Sequence, residues 1–161
     1  MQERGFTLVE LIIVVAIMAV LVSVGSLEYN KMQKKAEIER EVVTIYTSLS
    51  DLRLQALYTK TPRSAIISGS QLKIYASADT AVPPLSVLTL PYQVVMTSGA
   101  SLVAFDASGM MLDSESAICI EPAGVADNPG NTDSVVVSAA RIHTGKRTSG
   151  EDCAPDKVSQ K

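Results

Sequence analysis

Residues 4–25 read RGFTLVELIIVVAIMAVLVSVG, an apolar run with a single carboxylate, Glu10, near its start. After Glu10, Ser23 is the only polar residue before the run ends. As a helix that rises 1.5 Å per residue, the run from Phe6 would extend roughly 28 Å, about the thickness of the hydrocarbon core of a bilayer. The sequence therefore predicts that residues 6–25 form the membrane-spanning half of a helix.

Glu10 needs an explanation, because a charged side chain at the centre of a membrane span costs roughly 2.5–3.5 kcal/mol. It lies about one turn from the start of the run, where the partial positive charge of a helix N-terminus favours an acid. Two interpretations stay open on these grounds. Glu10 is either an interfacial residue or an acid that is kept for a partner.

The residues before the run favour a partner. A five-residue head, MQERG, is followed directly by FTLVE. This order resembles the prepilin leader of type IV pilins and pseudopilins. The resemblance implies that residues 1–5 are a leader, which a prepilin peptidase removes by cutting between Gly5 and Phe6. It further implies N-methylation of Phe6 and pairing of its amine with Glu10, commonly that of a neighbouring subunit.

An ordinary signal peptide remains an alternative for the same stretch. Ser23-Val24-Gly25 has the small-x-small pattern of a signal-peptidase site, and a cut after Gly25 would release a soluble secreted binding domain. The acid within the apolar run counts against this alternative. The charges that flank the run oppose the positive-inside rule, so the expected orientation, with the C-terminal domain in the periplasm, rests on the resemblance.

The second half of the predicted helix, residues 26–60, is amphipathic. Its apolar positions step by three or four residues and are expected to pack on a sheet: Ile38, Val42, Ile45, Leu49, Leu52 and Ala56. Glu37 and Glu41 are expected on a solvated face, because they form a like-charge pair. Pro62 ends the helix, since the residue before a proline avoids the helical region.

Residues 61–161 are predicted to form a β-rich domain. SAIISG and QLKIYA flank Ser68-Gly69-Ser70 and predict a hairpin. Gly, Pro, Asn and Ser clusters separate the further predicted strands, which read SVLTL, YQVVM, SLVAFD, SAICIE and DSVVVSA. The predicted fold class is α+β, with a long N-terminal helix laid on an antiparallel sheet.

The strand region also resembles the H-type pseudopilin group (the GspH/FimT domain), in which a Phe-Asp-x-x-Gly turn precedes a strand. Phe105, Asp106 and Gly109 match that turn. Ala140-Arg141 stands where the group has Gly-Arg, which is a departure. On the residues alone, Asp106 and Gly109 are turn formers, because Asp accepts backbone N–H bonds and Gly takes positive φ.

The two cysteines, Cys119 and Cys153, are predicted to form a disulfide if the domain faces the oxidising periplasm. In a cytosolic domain the same pair would be two buried thiols. The pilin resemblance favours the disulfide.

The sequence indicates no enzyme, cofactor or metal site. The net charge of −3 is too small to argue for nucleic acid. His143, the sole histidine, has no nucleophile beside it in the sequence, and the cysteines are not at zinc spacing. No phosphate-binding glycine loop is present. Oxygen-rich residues in 127–133 would suit calcium, but their spacing favours a polar turn.

The last hypothesis concerns the stretch with Arg141, His143, Lys146 and Arg147. Some FimT-like minor pilins bind DNA through such a stretch, and basic residues without balancing acids can hold phosphates. A solvated basic loop is the simpler interpretation. The sequence thus predicts a minor pilin or pseudopilin that is anchored in the inner membrane and assembles with other subunits into a type IV pilus or a type II secretion pseudopilus. A DNA-binding minor pilin is the alternative.

Overall fold

The computed structural model describes residues 7–160, which contain one α-helix, seven strands and three single-turn 3-10 helices. The helix α1 spans Leu8–Thr59. The strands follow in chain order: β1 (Arg63–Tyr75), β2 (Ser86–Met96), β3 (Leu102–Phe105), β4 (Ser116–Glu121), β5 (Ser134–Val137), β6 (Ile142–Arg147) and β7 (Val158–Gln160). The predicted α+β class is confirmed. Gly5 and Phe6 lie outside the described residues.

Residues up to Lys34 form one compact unit and those from Lys35 another. In the first unit the helix begins at a cap, where Thr7 Oγ1 accepts a hydrogen bond of 3.3 Å from the Glu10 backbone N–H. An 18-residue window of α1 has a mean hydropathy of 2.8, and none of that window is buried. By length and composition, this part of the helix could cross a membrane.

In the second unit, the predicted apolar stripe of α1 is confirmed. The side chains from Ile38 to Ala56 at three- and four-residue steps are all at most 1% exposed. They form one core with residues from every strand of the sheet except β7. Burial of each large apolar side chain contributes roughly 1.5–3 kcal/mol, so this stripe is what holds the helix on the sheet.

The seven strands form one antiparallel sheet in the order β3-β1-β2-β4-β5-β6-β7. β4 and β5 lie in the middle of the domain and are almost wholly buried. Their near-continuous apolar sequences fit strands that are covered on both faces. On one side is the core beneath α1, and on the other is a smaller cluster around Cys119.

The predicted hairpin at Ser68-Gly69-Ser70 is wrong. β1 continues through it, and Gly69 takes a φ of +58° at a shift in register with β2. A turn and a bulge both favour Gly and Ser, so the local sequence does not separate them. The bulge lets β1 pair with β3 through its first half and with β2 through its second.

The two strands predicted from SVLTL and YQVVM are in fact one strand, β2. Pro91 lies between them at the irregular stretch, where Gly69 pairs with Val94 while Gln71 pairs with Thr89. A proline lacks the N–H that a regular ladder needs, and it is tolerated where the ladder is interrupted.

Candidate assembly site and other candidate sites

The N-terminal part of α1 presents an uncovered apolar surface with Glu10 at its start. The large apolar side chains between Leu8 and Val22 are 46–75% exposed. Within the described residues, the Glu10 side chain is exposed and makes no ion pair. A carboxylate at the first turn of an apolar helix is therefore available to a cation from outside the described chain.

Thr7 and Glu10 also form the sequence pattern of a capping box, T-x-x-E. Thr7 Oγ1 caps the Glu10 N–H, so Glu10 has a local role at the helix start as well as a free carboxylate. Sequence reasoning missed Thr7, although the four-residue pattern was available to find it.

The basic stretch is not a solvated loop, because most of it is the strand β6. The Arg147 side chain is 2% exposed and forms an ion pair of 2.8 Å with Glu121. It also donates a hydrogen bond of 2.8 Å to the Ala126 carbonyl. Lys146 pairs with the buried Asp133 at 2.7 Å. The expectation that these two cations lack balancing acids is wrong, since their partners are distant in sequence.

The other two residues of the stretch remain nearer the surface. Arg141 is exposed and donates a hydrogen bond of 2.9 Å to the Gln160 side chain. Burial, with the charge of Arg141, lowers the pKa of His143 despite the opposing influence of Glu115. His143 is therefore neutral at pH 7, and the stretch lacks the cluster of free cations on which the DNA-binding hypothesis depends.

The side-chain ammonium of Lys146, from β6, binds within the 127–133 loop. The Lys146 ammonium lies 2.7 Å from Asp133 Oδ2, 3.0 Å from the Asn128 carbonyl and 3.2 Å from Asn128 Oδ1. The Asn131 backbone N–H donates to Glu39 Oε1 at 2.9 Å, which ties the loop to α1. In the described residues no group of three metal ligands is present. The loop is a turn organised around a lysine.

The predicted Asp106 turn lies under the end of α1. Asp106 Oδ1 accepts hydrogen bonds from the Ser108 and Met110 backbone N–H groups at 2.8 and 2.9 Å. The Ser108 hydroxyl, which donates to the same oxygen at 2.6 Å, lowers the pKa of Asp106 most, and the two backbone bonds lower it further. Gly109 has a φ of +71°, and its carbonyl accepts a bond of 2.8 Å from Arg53 Nε. The turn therefore orders itself and contacts the helix.

The two cysteines form a disulfide between β4 and the segment after β6, with their Cα atoms 5.9 Å apart. Cys119 is fully buried and Cys153 is 9% exposed. Both pack in the smaller apolar cluster with Ala117, Val136 and Val158. The bond thus links the middle of the sheet to its C-terminal segment.

Glu41 is the clearest departure from the sequence prediction. It was expected on a solvated face but is 2% exposed. Burial raises the pKa of Glu41 to about 7, although the nearby Tyr92 backbone amide opposes the shift. The signal was available, because Glu41 lies three residues after Ile38 and four before Ile45, at the edge of the apolar stripe.

Comparisons with known proteins agree with these features. Residues 1–26 match the prokaryotic N-terminal methylation motif. No curated protein matches the sequence. The type IV minor pilin FimU of Pseudomonas aeruginosa is similar in structure, with a TM-score of 0.57 at 19% identity over 80% of this chain and 97% of that one. A second crystal form of FimU gives 0.56 at 18% identity, over 76% and 97% of the two chains. The chain thus carries the N-terminal methylation motif of prokaryotic prepilins and has the fold of a type IV minor pilin.

Proposed function

We propose that this protein is a minor pilin, a structural subunit without catalytic activity that is anchored in the inner membrane and assembles into a type IV pilus. The observation that carries the proposal is the uncovered apolar first part of α1, with a free carboxylate in its first turn. The methylation motif on the same residues and the likeness of the fold to a minor pilin support it. The domain from Lys35 would face the periplasm.

Processing follows from the position of the leader. A prepilin peptidase would cut between Gly5 and Phe6, leaving an N-methylated amine at Phe6. α1 begins at Leu8, two residues beyond Phe6 in the sequence. The new positive charge would then enter an apolar surrounding together with the helix. A buried charge is tolerated only when it is paired, and Glu10 is the acid positioned to pair with it.

Assembly follows from the exposed apolar side chains. In a bilayer these side chains contact lipid and need no protein partner. When the subunit leaves the bilayer for a filament, the same surface must be covered, because apolar area exposed to water costs roughly 25 cal/mol per Å². Packing against the equivalent helices of other subunits would cover it. The partners proposed are therefore other pilin subunits, with the prepilin peptidase acting once.

The experiment tests cleavage and assembly separately. Intact-mass analysis of membrane-extracted protein should show a chain that begins at N-methylated Phe6. Glu10→Ala should be cleaved and reach normal membrane levels but be lost from sheared filaments. Glu28→Ala is the matched control, because Glu28 is an exposed acid on the same helix that already pairs with Lys31. The control should enter filaments normally.

Each outcome has a distinct meaning. A mature chain that begins at Ser26 would replace the proposal with a soluble secreted domain. Normal incorporation of Glu10→Ala would leave Glu10 as a capping residue and remove its role in assembly. The filament with which the wild-type chain co-purifies decides between a type IV pilus, which the structural likeness supports, and a type II secretion pseudopilus.

A further inference from the structure

Two arginines that are far apart in the sequence line one open cavity of the domain that begins at Lys35. The cavity has a volume of about 380 Å³ and lies between α1 and the start of β6. The helix supplies the lining residues from Tyr46 to Leu57, including Arg53, and the strand side supplies Arg141 and Ile142. None of the described residues in this lining is an aspartate or a glutamate. The cavity therefore carries an excess of positive charge.

Arg53 is fixed by the fold while its terminal nitrogens stay free. Its Nε donates a hydrogen bond of 2.8 Å to the Gly109 carbonyl, in the turn that the Asp106 side chain orders. The side chain is half-buried. Within the described residues, Arg53 makes no ion pair and donates no bond from Nη1 or Nη2. A positioned guanidinium with free donors is thus present at the cavity.

Arg141 is fixed by the turn between β5 and β6. Its carbonyl accepts hydrogen bonds from the Ser138 backbone N–H at 2.9 Å and from the Ser138 hydroxyl at 3.0 Å. One terminal nitrogen, Nη2, donates to Gln160 Oε1 at 2.9 Å, and the side chain is exposed. Across residues 7–160, Arg141 has no acid as an ion-pair partner. Its remaining N–H groups are therefore available to a ligand.

Contacts between distant segments bring the two arginines to the same cavity. The Met111 N–H donates a hydrogen bond of 3.0 Å to the Ala139 carbonyl, which joins the segment after the Asp106 turn to the β5–β6 turn. Arg53 contacts the first of these turns, and Arg141 lies at the end of the second. Two cations that share a cavity repel each other, so an anion bound between them would be stabilised by both.

The rest of the lining combines a free hydroxyl with an apolar wall. The hydroxyls of Thr44 and Thr47 donate to carbonyls of their own helix, whereas the Ser50 hydroxyl makes no hydrogen bond within the described part of the chain. Leu54, Leu57 and Ile142 supply apolar carbon atoms to the same lining, together with Tyr46. The cavity thus offers donors at its charged side and apolar contact elsewhere.

We propose that this cavity binds a carboxylate that carries an apolar group, with Arg53 and Arg141 as its partners. The planar guanidinium matches a carboxylate in geometry, because two parallel N–H groups can donate to its two oxygens. The Ser50 hydroxyl would donate a further hydrogen bond, and the apolar part of the ligand would lie against Leu54 and Leu57. The site belongs to the domain from Lys35 and does not depend on assembly into a filament.

A carboxylate fits this lining better than a phosphate does. A phosphate carries charged oxygens on all sides and needs donors around it, whereas much of this wall is apolar. Polar oxygens that lose their hydration against an apolar wall without a hydrogen bond are costly. A carboxylate with an apolar group has its charge at one end only, which is the asymmetry of the cavity. The phosphates of a nucleic acid are therefore not the expected ligand.

The test uses the full chain, labelled with ¹⁵N-arginine in nonionic detergent micelles, and follows the arginine Nε–H signals by NMR. With 4-methylpentanoate, the signals of Arg53 and Arg141 should shift together and saturate in the millimolar range expected of so small a ligand. Acetate should bind about tenfold more weakly, because it lacks the methylene and methyl groups that the apolar wall would bury. The uncharged 4-methylpentanamide should give no saturable shift, and it controls for partition into the micelle.

Variants assign the binding to this cavity. Arg141→Gln replaces an exposed side chain, so the domain should fold normally, but the affinity for 4-methylpentanoate should fall about tenfold. Arg40→Gln is the matched control, because Arg40 is an exposed arginine of α1 outside this lining, and it should bind like wild type. Leu54 is 49% exposed, so Leu54→Ser should also fold and should reduce the preference for 4-methylpentanoate over acetate.

A second titration identifies the source of the carboxylate. N-acetyl-alanyl-leucine presents a carboxylate and a branched apolar side chain at the end of a peptide. Tighter binding of this peptide than of 4-methylpentanoate identifies the C-terminus of a polypeptide as the source. Tighter binding of 4-methylpentanoate identifies a free small acid, and either result supports the carboxylate site.

Three outcomes would overturn the proposal. Equal saturable shifts with 4-methylpentanamide would show that charge plays no part. Equal affinities of wild type and Arg141→Gln would place the binding elsewhere. Tighter binding of inorganic phosphate than of 4-methylpentanoate would show that the ligand class is wrong. All three are measured on the isolated chain, so they are independent of the proposed function.

Discussion

Replacing Gly109 with alanine should destabilise the domain by more than backbone strain alone. Gly109 has a φ of +71°, in the left-handed region, where a side chain costs about 1–2 kcal/mol. A Cβ built at this position would also lie 2.7 Å from Leu57 Cγ and 3.0 Å from its Cδ1. Overpacking of this kind typically costs 1–3 kcal/mol. Gly109→Ala should therefore lower the free energy of unfolding by about 2–4 kcal/mol.

The chain contains a matched control for the backbone term. Gly99 has the same φ of +71°, but a Cβ there would meet nothing within 4 Å. Gly99→Ala should lower the free energy of unfolding by the backbone strain alone. About 0.4–1 kcal/mol of that loss is offset, because alanine reduces the conformational entropy of the unfolded chain. The difference between the two variants then measures the contact with Leu57. A Leu57→Ala, Gly109→Ala double variant should recover about 1–3 kcal/mol relative to the sum of the single changes.

The measurement is equilibrium urea unfolding of the full chain in micelles, followed by the near-ultraviolet circular dichroism of its tyrosines. Equal losses for Gly109→Ala and Gly99→Ala would refute the reasoning, because they would show that the helix end and the turn are not in close contact. Strict additivity of Leu57→Ala and Gly109→Ala would refute it independently.

Three further predictions concern the other structural contacts. The Cys119–Cys153 bond joins residues 34 positions apart. Its reduction should lower the free energy of unfolding by about 3–4 kcal/mol in the chain-entropy model. An unchanged urea midpoint in dithiothreitol would contradict this. Asp106→Asn should lower the melting temperature at pH 7, and this difference should fade only as pH falls from the ordinary value of 3.8 through the lowered pKa of Asp106, because a carboxyl with a lowered pKa stabilises the fold only while it is ionised. Calcium or EDTA should leave the melting temperature unchanged, and a clear stabilisation by calcium would count against the lysine-centred loop. Lys146→Met should lower the free energy of unfolding by about 3 kcal/mol, because it leaves the charge of the buried Asp133 unpaired.

The features that sequence predicted well depend on local or periodic signals. The stripe from Ile38 to Ala56 follows the helical repeat, and its burial needs no knowledge of the partner. The Asp106 turn is similar, because Asp and Gly act on their own neighbouring backbone. A capping residue such as Thr7 belongs to the same class, and it was missed although its pattern was present.

The features that sequence could not predict depend on partners that are distant in the chain. Lys146 and Arg147 read as free cations, because Asp133 and Glu121 become their partners only when β4, β5 and β6 pair. The bulge at Gly69 has the composition of a turn and is distinguished from one only by which strands flank it. The burial of Glu41 is an intermediate case, because its place at the edge of the apolar stripe is visible in the sequence but the cover that β2 supplies is not.

In the filament subunit that we propose, the disulfide would have a mechanical consequence. Tension that arrives from the C-terminal side would peel β7 from the sheet edge and then reach Cys153. From there the covalent bond passes the force directly to Cys119 in β4, between β2 and β5, without unzipping β5 and β6. In the oxidised chain, the segment between Cys119 and Cys153 cannot extend under force. Fully extended, it would add roughly 120 Å of contour length. An oxidised subunit would therefore yield a short extension before bearing force on its central strands, whereas a reduced one would unravel strand by strand.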